Sequence, residues 1–291
     1  MDLVAAVRLR PLLGDGAMGT MLQAHGLETG VAPDVLNLEN PELVRQIHSA
    51  YREAGCDYVE TNTFGANRIK LAAHGLEPKL EEIIARGVEI ARSAAGDDCM
   101  VGGSVGPTGV LLEPYGDTPH EKISDTYLEV ATLMDKAGID FFLIETMTDI
   151  NEASIAVEAA KQVSTKPIVA TAVFSMGARG YRTIMGNSPR EAALRLVEAG
   201  ARFVGTNCCS GMEQAIGIMK DMVSASSAAM IAQPNAGLPT VEAGKLIYPE
   251  APLAMADRVP DLLSMGVRII GGCCGTTPAH IKAMASAFGR R

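Results

Sequence analysis

Tryptophan is absent from this chain, and phenylalanine and tyrosine bring the aromatic share to only 4% of 291 residues. A core of domain size must then be built from Ala, Val, Ile, Leu and Met, and a hydrophobic fraction of 47% supplies the material. Basic residues are scarce relative to acidic ones, 25 against 34, for a net charge of −9. That balance argues against nucleic acid or an anionic membrane as the main partner. No stretch approaches the roughly 18 consecutive apolar residues of a membrane span. The opening MDLVAAVRLR is interrupted by Asp2, Arg8 and Arg10, so it does not read as a secretory signal. A cytoplasmic protein is expected, and there six cysteines suit metal binding or catalysis better than disulfides. Linkers, charge runs and low-complexity segments are missing too, so residues 1–291 are expected to form a single domain.

What is present is an alternation. Apolar or β-rich runs lie at 10–16, 57–64, 99–106, 140–147, 167–174, 202–208, 229–235 and 267–275. Amphipathic helical patterns lie between them at 41–54, 78–95, 121–137, 150–163, 188–199, 211–223 and 252–265, with a last one at 278–288. Asn40-Pro41, Ser188-Pro189 and Thr277-Pro278 place a capping side chain before proline at the first helical position. Gly55, Gly138, Gly200 and Gly266 follow helices where the chain must turn left-handed. Eight even units of strand and helix imply parallel strands with right-handed crossovers, and favour closure into an α/β (β/α)8 barrel over an open sheet. The longest irregular pieces, 17–40, 107–120 and 175–187, all follow expected strands and so fall on the face where barrels build active sites. Gly177, Gly180 and Gly186 suit the last of these to a mobile lid.

Cys208 and Cys209 end the sixth strand, and Cys273 and Cys274 end the eighth. Only one strand separates these in a barrel, so the two cysteine pairs converge at the C-terminal face. Thiolates are favoured donors for zinc, and three of them leave the fourth position open, as in catalytic sites. Neighbouring residues of a regular strand face opposite ways, so a pair reaches one metal only where the backbone distorts. Gly271, Gly272 and Gly275 permit that at the eighth strand. Cysteines that merely pack, or a vicinal disulfide between Cys273 and Cys274, remain alternatives, and spacing does not choose between Cys208 and Cys209. Cys56 and Cys99 fall on the opposite face and read as small buried apolar residues.

Carboxylates among apolar strand residues are costly unless paired. Asp15 at the end of the first strand and Glu145 at the end of the fourth are placed to receive the ammonium of an amino acid. The backbone N–H groups of Gly16, Ala17, Met18, Gly19 and Thr20 offer a cradle for its carboxylate. Glu60, inside the second strand, stands evenly between an internal pair and a functional role. Asn235 ends the seventh strand between the two cysteine-bearing strands, and reads equally as a neutral oxygen donor to a metal or as a loop-stabilising amide. None of the five histidines falls at an expected strand end. His25, His48, His74 and His120 read as loop or helix-surface residues and His280 as part of the last helix, so no histidine ligand is expected.

The segments LLGDGAMGTMLQ, DYVETNTFGANRIKL, VGGSVGPTG, IETMTD, VGTNCC and IIGGCCGTTPAHI, in this order from Leu12 to Ile281, resemble the homocysteine S-methyltransferase family. They are most similar to the homocysteine-binding barrel of cobalamin-dependent methionine synthases. The resemblance implies zinc on Cys208, Cys273 and Cys274, with Cys209 a bystander. It implies that Asp15 and Glu145 engage homocysteine, that the backbone of Gly16, Ala17, Gly19 and Thr20 holds its carboxylate, and that Asn235 occupies the metal when the thiol is away. The expected reaction is methyl transfer to homocysteine, giving methionine. No D-x-H-x-x-G stretch for cobalt ligation occurs in the chain, so methylcobalamin is expected on a separate corrinoid protein. S-methylmethionine, S-adenosylmethionine or a betaine-type donor, another thiol acceptor, a non-catalytic thiol- or metal-binding module, and a phosphate-handling barrel using the glycines of GGCCG are the competing readings.

Overall fold

Alternation of short apolar segments with amphipathic helices resolves into eight parallel strands: β1 (Leu12–Leu13), β2 (Tyr58–Glu60), β3 (Met100–Val105), β4 (Phe141–Met147), β5 (Ile168–Ala172), β6 (Phe203–Asn207), β7 (Ala229–Gln233) and β8 (Val267–Ile270). The structure, a computed structural model, describes residues 2–28, 30–242 and 245–289. Each strand pairs in parallel with the next in chain order, from β2 through β8, and β8 pairs with β1. The chain is thus a (β/α)8 barrel, as its spacing implies. The seam between β1 and β2 is closed by Asp57. Its backbone N–H donates to Leu13 O at 2.7 Å, and its carboxylate accepts the Leu13 N–H at 2.7 Å and hydrogen bonds from Arg10 Nη1 and Nη2.

Helix boundaries follow the local chemistry. Asn40 accepts the Leu43 N–H ahead of helix Pro41–Glu53, and Ser188 with Glu191 forms a capping box ahead of Pro189–Ala199. Gly138, at φ 91°, accepts the left-handed turn that ends helix His120–Ala137 and directs the chain into β4.

Inside the barrel, Leu12, Tyr58, Met100, Phe141, Leu143, Val169, Phe203, Ile231 and Ile269 form a layer at the N-terminal end. With few aromatics available, fit comes from pairing large against small. A Cβ on Gly102 would lie 2.6 Å from the Phe141 ring, and Tyr58 meets Phe141 edge-on at 5.2 Å between centroids. Helix Leu3–Leu9 plugs this end, adding Leu3, Ala6 and Val7 to the layer while Arg268 holds the Val7 carbonyl. A second, larger apolar shell lies between strands and outer helices.

Several elements go beyond the sequence reading. The opening segment is that plugging helix; the 17–40 stretch contains helices Gly19–Ala24 and Leu36–Glu39; and two antiparallel hairpins, Ser175–Gly177 with Gly180–Arg182 and Thr240–Glu242 with Lys245–Ile247, follow β5 and β7. One residue is placed differently from expectation. His48 is not on a helix surface but fully buried, because it shares the inward face of its helix with Val44, Ile47 and Tyr51. Among the described residues no helix is long and apolar enough to cross a membrane.

Candidate metal centre

The three sulfurs of Cys208, Cys273 and Cys274 lie within 4.8 Å of one another at the C-terminal mouth of the barrel, with Cys208 Sγ 3.9 Å from Cys274 Sγ. Residues 233–236, at the end of β7, lace the two cysteine-bearing strands together. Gln233 O and Pro234 O accept the N–H groups of Cys208 and Cys273 at 3.1 and 2.9 Å. The N–H groups of Asn235 and Ala236 donate to Cys209 O and Cys274 O, each at 2.9 Å. Where β6 ends, Cys208 adopts φ 49°, a left-handed conformation that turns its side chain toward β8. Cys209 therefore points away, buried, with its thiol on Gly211 O. That local kink answers what strand periodicity left open, since it selects one cysteine of the pair.

Three thiols this close compete for protons. Hydrogen bonds from Cys208 and Cys273 pull the Cys274 thiol below its usual value, while the bonds of Cys273 with Cys208 and Cys274 push Cys273 up. Tyr248 also hydrogen-bonds Cys274; its ring packs on Gly275, and burial followed by the neighbouring Cys274 sulfur pushes its phenol up to about 12. Asn235, only 8% exposed, carries an Oδ1 with no hydrogen-bond partner among the described residues. A cluster of soft sulfur donors with one thiol already favouring its anion, beside an orphaned amide oxygen, fits a zinc ion. The paired cysteines in the turn that follows β8 face the same centre, as the glycines around them allow.

Next to the sulfurs stand three carboxylates, Asp15 and Glu145 buried and Glu60 partly buried, none of them in an ion pair among the described residues. Asp15 Oδ2 accepts the Glu60 N–H at 2.9 Å, while its Oδ1 is buried without a partner. Glu60 accepts a short hydrogen bond from Gln233. Glu145 accepts from Ser104 Oγ at 2.5 Å and from Asn207 Nδ2 at 2.9 Å. Burial raises all three, Asp15 and Glu60 well above the usual carboxylate range and Glu145 to about 7. Such a group of acids is complementary to a cation that brings its own charge, such as an ammonium.

Asn207 is a residue that sequence reasoning did not single out. Its Oδ1 accepts from Thr146 N at 2.9 Å and Thr171 Oγ1 at 2.8 Å, and its Nδ2 also reaches Cys273 Sγ at 3.9 Å. Thr146 sits at φ 61°, so Glu145 and Cys208 both adjoin a residue, or are one, in a conformation that costs roughly 1–3 kcal/mol for a side chain other than glycine. Strain at two strand ends, joined by one amide, marks this as the built part of the site. Of the five-residue cradle Gly16–Thr20, the Ala17 N–H is already donated to Thr276 Oγ1 at 3.1 Å, and Thr20 Oγ1 accepts the Gly275 N–H at 3.1 Å. These bonds tie the loop after β1 to the loop carrying Cys273 and Cys274.

A family model described as homocysteine S-methyltransferase matches residues 12–288. The chain is 34% identical over 303 residues to a methionine synthase of Mycobacterium tuberculosis (strain ATCC 25618 / H37Rv), covering 98% of this chain and 25% of that protein. A methionine synthase of Mycobacterium leprae (strain TN) is 34% identical over 306 residues, covering 99% and 25%. The chain thus spans about a quarter of the length of these curated relatives. Among solved structures, the homocysteine methyltransferase MmuM from Escherichia coli matches in its metallated form with a TM-score of 0.81 at 24% identity, over 98% of both chains. Its oxidized form matches with a TM-score of 0.78 at 26% identity, over 95% of both.

Proposed function

Because this chain belongs to the homocysteine S-methyltransferase family, we propose that it transfers a methyl group to the sulfur of homocysteine, forming methionine, on a zinc ion held by Cys208, Cys273 and Cys274. The observation that carries the reading is the convergence of those three sulfurs within 4.8 Å at the barrel mouth. It acts as one barrel domain over residues 1–291, in the cytoplasm.

Zinc, when bound, lowers the proton affinity of a coordinated thiol, so that homocysteine is held as a thiolate at neutral pH where a free thiol of pKa near 8.5 is mostly protonated. The chain's own groups do the rest. Asp15 and Glu145 receive the substrate ammonium: the orphaned Asp15 Oδ1 gains a donor, and the positive charge restores both acids to their ionised form. Glu60, held by Gln233, is kept well above the usual carboxylate range by burial and then by the neighbouring Glu145 and Asp15. The backbone of Gly16, Ala17, Gly19 and Thr20 faces the substrate carboxylate, with Ala17 contributing through its shared contact to Thr276. Asn235 Oδ1, buried without a partner among the described residues, would offer the metal a neutral oxygen when the thiol is away. Tyr248, donating to Cys274, tempers the negative charge of the sulfur cluster without removing it. With ammonium, carboxylate and thiol all fixed, the reaction needs in-line alignment rather than a proton shuttle.

The methyl group comes from a separate methyl-corrinoid protein, in keeping with the resemblance of the motifs to the methionine synthase branch and the 34% identity to two methionine synthases. A small-molecule sulfonium or betaine-type donor is the second reading, favoured by the match to a homocysteine methyltransferase over 95% of its own chain. X-ray absorption at the zinc edge tests the core of the proposal. Three sulfur neighbours rising to four on adding homocysteine is the expected result; a shell indifferent to homocysteine removes it as the substrate. Turnover with methylcobalamin against S-methylmethionine then separates the donors.

A further inference from the structure

Residues 248–250 form a short strap between the hairpin that follows β7 and helix Pro252–Ser264. The strap lies against the three turns around the sulfur cluster, and at each turn it meets a glycine. A Cβ on Gly211, after β6, would collide with Glu250 Oε2, and one on Gly275, after β8, would collide with the Tyr248 ring. One on Gly237, after β7, would lie 3.1 Å from Pro249 Cδ. Glycine is what lets strap and turns approach this closely.

Glu250 bonds to all three turns. Its N–H donates to Ala236 O at 2.9 Å, and the Ala236 N–H donates in turn to Cys274 O at 2.9 Å. Its carbonyl accepts from His280 Nε2 at 2.9 Å. His280 Nδ1 accepts the Thr277 N–H at 3.1 Å, so the hydrogen of the neutral ring is on Nε2 and the bond to Glu250 has a fixed direction. Its carboxylate Oε2 accepts the Met212 N–H at 3.3 Å. That N–H opens helix Met212–Val223, whose N-cap residue Gly211 has no side chain to satisfy it. The cap therefore comes from the strap, and it brings the negative charge that a helix N-terminus favours.

We propose that Glu250 is a positioning residue of the metal centre, whose carboxylate holds Cys208 turned toward Cys273 and Cys274; the inference rests on the assignment of zinc to these three sulfurs. Cys208, at φ 49°, is in a conformation that a side chain other than glycine keeps only where its surroundings enforce it. The enforcement is visible at both ends of its turn. Upstream, the Cys208 N–H is tied to Gln233 O; downstream, the Met212 N–H is tied to Glu250. Between them the Cys209 carbonyl accepts from Gly211 N at 2.8 Å and Asn235 N at 2.9 Å. Without the Glu250 carboxylate the downstream end is released, and Cys208 is the ligand that relaxes away. Cys273 and Cys274 keep their own backbone bonds to Pro234 and Ala236.

The test compares Glu250→Gln, which keeps an acceptor at the same reach without the charge, with Glu250→Asp, which keeps the charge one carbon short. Both are small changes at a partly exposed residue. Zinc affinity of each full chain is read by competition with a chromophoric chelator, and the thiolate count from the sulfur-to-metal charge-transfer absorption of the cobalt(II)-loaded chain. Glu250→Gln is expected to stay within about threefold of parent in affinity and to keep the parent spectrum. Glu250→Asp is expected to bind zinc about tenfold more weakly, the equivalent of one charge-assisted hydrogen bond. Its charge-transfer absorption per bound cobalt is expected to fall by about one third, as three thiolates become two. Parent-like affinity and spectrum in both variants, whatever their urea stability, overturn the proposal. So does a loss in Glu250→Gln at least as large as that in Glu250→Asp, which would make the effect one of charge alone. A parent chain that takes up neither metal overturns the zinc assignment itself, so the parent titration tells the two failures apart.

Discussion

Asn207 Nδ2 donates to Glu145 Oε2 at 2.9 Å and, on its other side, faces Cys273 Sγ at 3.9 Å. One amide therefore spans the acid assigned to the substrate ammonium and a sulfur assigned to the metal. Removing it leaves the Thr146 N–H and the Thr171 hydroxyl without their acceptor.

Asn207→Ala is expected to cost about 3 kcal/mol in unfolding stability, since each buried group left unsatisfied costs roughly 1–3 kcal/mol. Homocysteine affinity is expected to fall about tenfold or more, the equivalent of losing one well-placed hydrogen bond at the ammonium site. Urea unfolding and calorimetric titration with homocysteine measure the two effects. A variant with parent-like affinity would show that Glu145 is aimed by something other than this amide.

Cysteine substitutions separate ligands from neighbours. Cys273→Ser is expected to drop bound zinc from about one per chain to a small fraction, with activity following it. Cys209→Ser is expected to keep full metal content, because Cys209 points to Gly211 O and away from the cluster. Metal analysis after dialysis against a mild chelator reads both. Equal metal loss in the two variants would return Cys209 to the ligand set.

Why the barrel is legible in the sequence while parts of its mouth are not has a physical basis. Proline at a first helical position and glycine after a last one act within a few residues, so helix ends can be read locally, as at Ser188-Pro189 and Gly138. The convergence of the cysteines is legible because pairs placed after two strands that are one apart come to the same side of a barrel. Asn207 is different: an amide at a strand end looks the same whether it faces solvent or joins four partners on β4, β5 and the turn after β8. The left-handed Cys208 that chooses between neighbouring cysteines is a property of the closed barrel, visible only when β7 is in place beside it. For His48 a signal was present, because positions 44, 47, 48 and 51 repeat at helical spacing on one face.

Glu152 organises the loop that follows β3. Its Oε1 accepts from Thr108 N at 2.7 Å, Thr108 Oγ1 at 2.6 Å and Tyr127 OH at 2.9 Å, all buried. Glu152→Ala is expected to destabilise by roughly 3 kcal/mol and Glu152→Gln by about half of that, because the amide oxygen keeps an acceptor in place. Hydrogen exchange at Thr108 should quicken in the alanine variant before it does so at β3. Unchanged protection at Thr108 would mean that the loop is held by its backbone alone.

His48 makes acid sensitivity a measurable property of the fold. Both ring nitrogens are buried without hydrogen-bond partners among the described residues, and burial lowers its pKa to about 4. Between pH 6.5, near the unfolded value, and about 4, the unfolded chain takes up a proton that the folded chain refuses. The contribution to stability is therefore fully present above 6.5 and is lost as the pH falls through the folded value, by at most about 3 kcal/mol. Asp34 acts in the opposite sense, since burial raises its carboxyl to about 6 and stability gained there grows on acidification. The parent's pH profile is the sum, so only the difference between His48→Leu and parent isolates the histidine. Leucine fits among Val44, Ile47 and Tyr51 and buries no unpaired nitrogen, so the variant is expected within about 1 kcal/mol of parent at neutral pH. At about pH 4.5 it is expected to be more stable than parent by roughly 2–3 kcal/mol. Urea unfolding across that range measures the difference. Parallel profiles would mean that the folded chain protonates His48 as readily as the unfolded one.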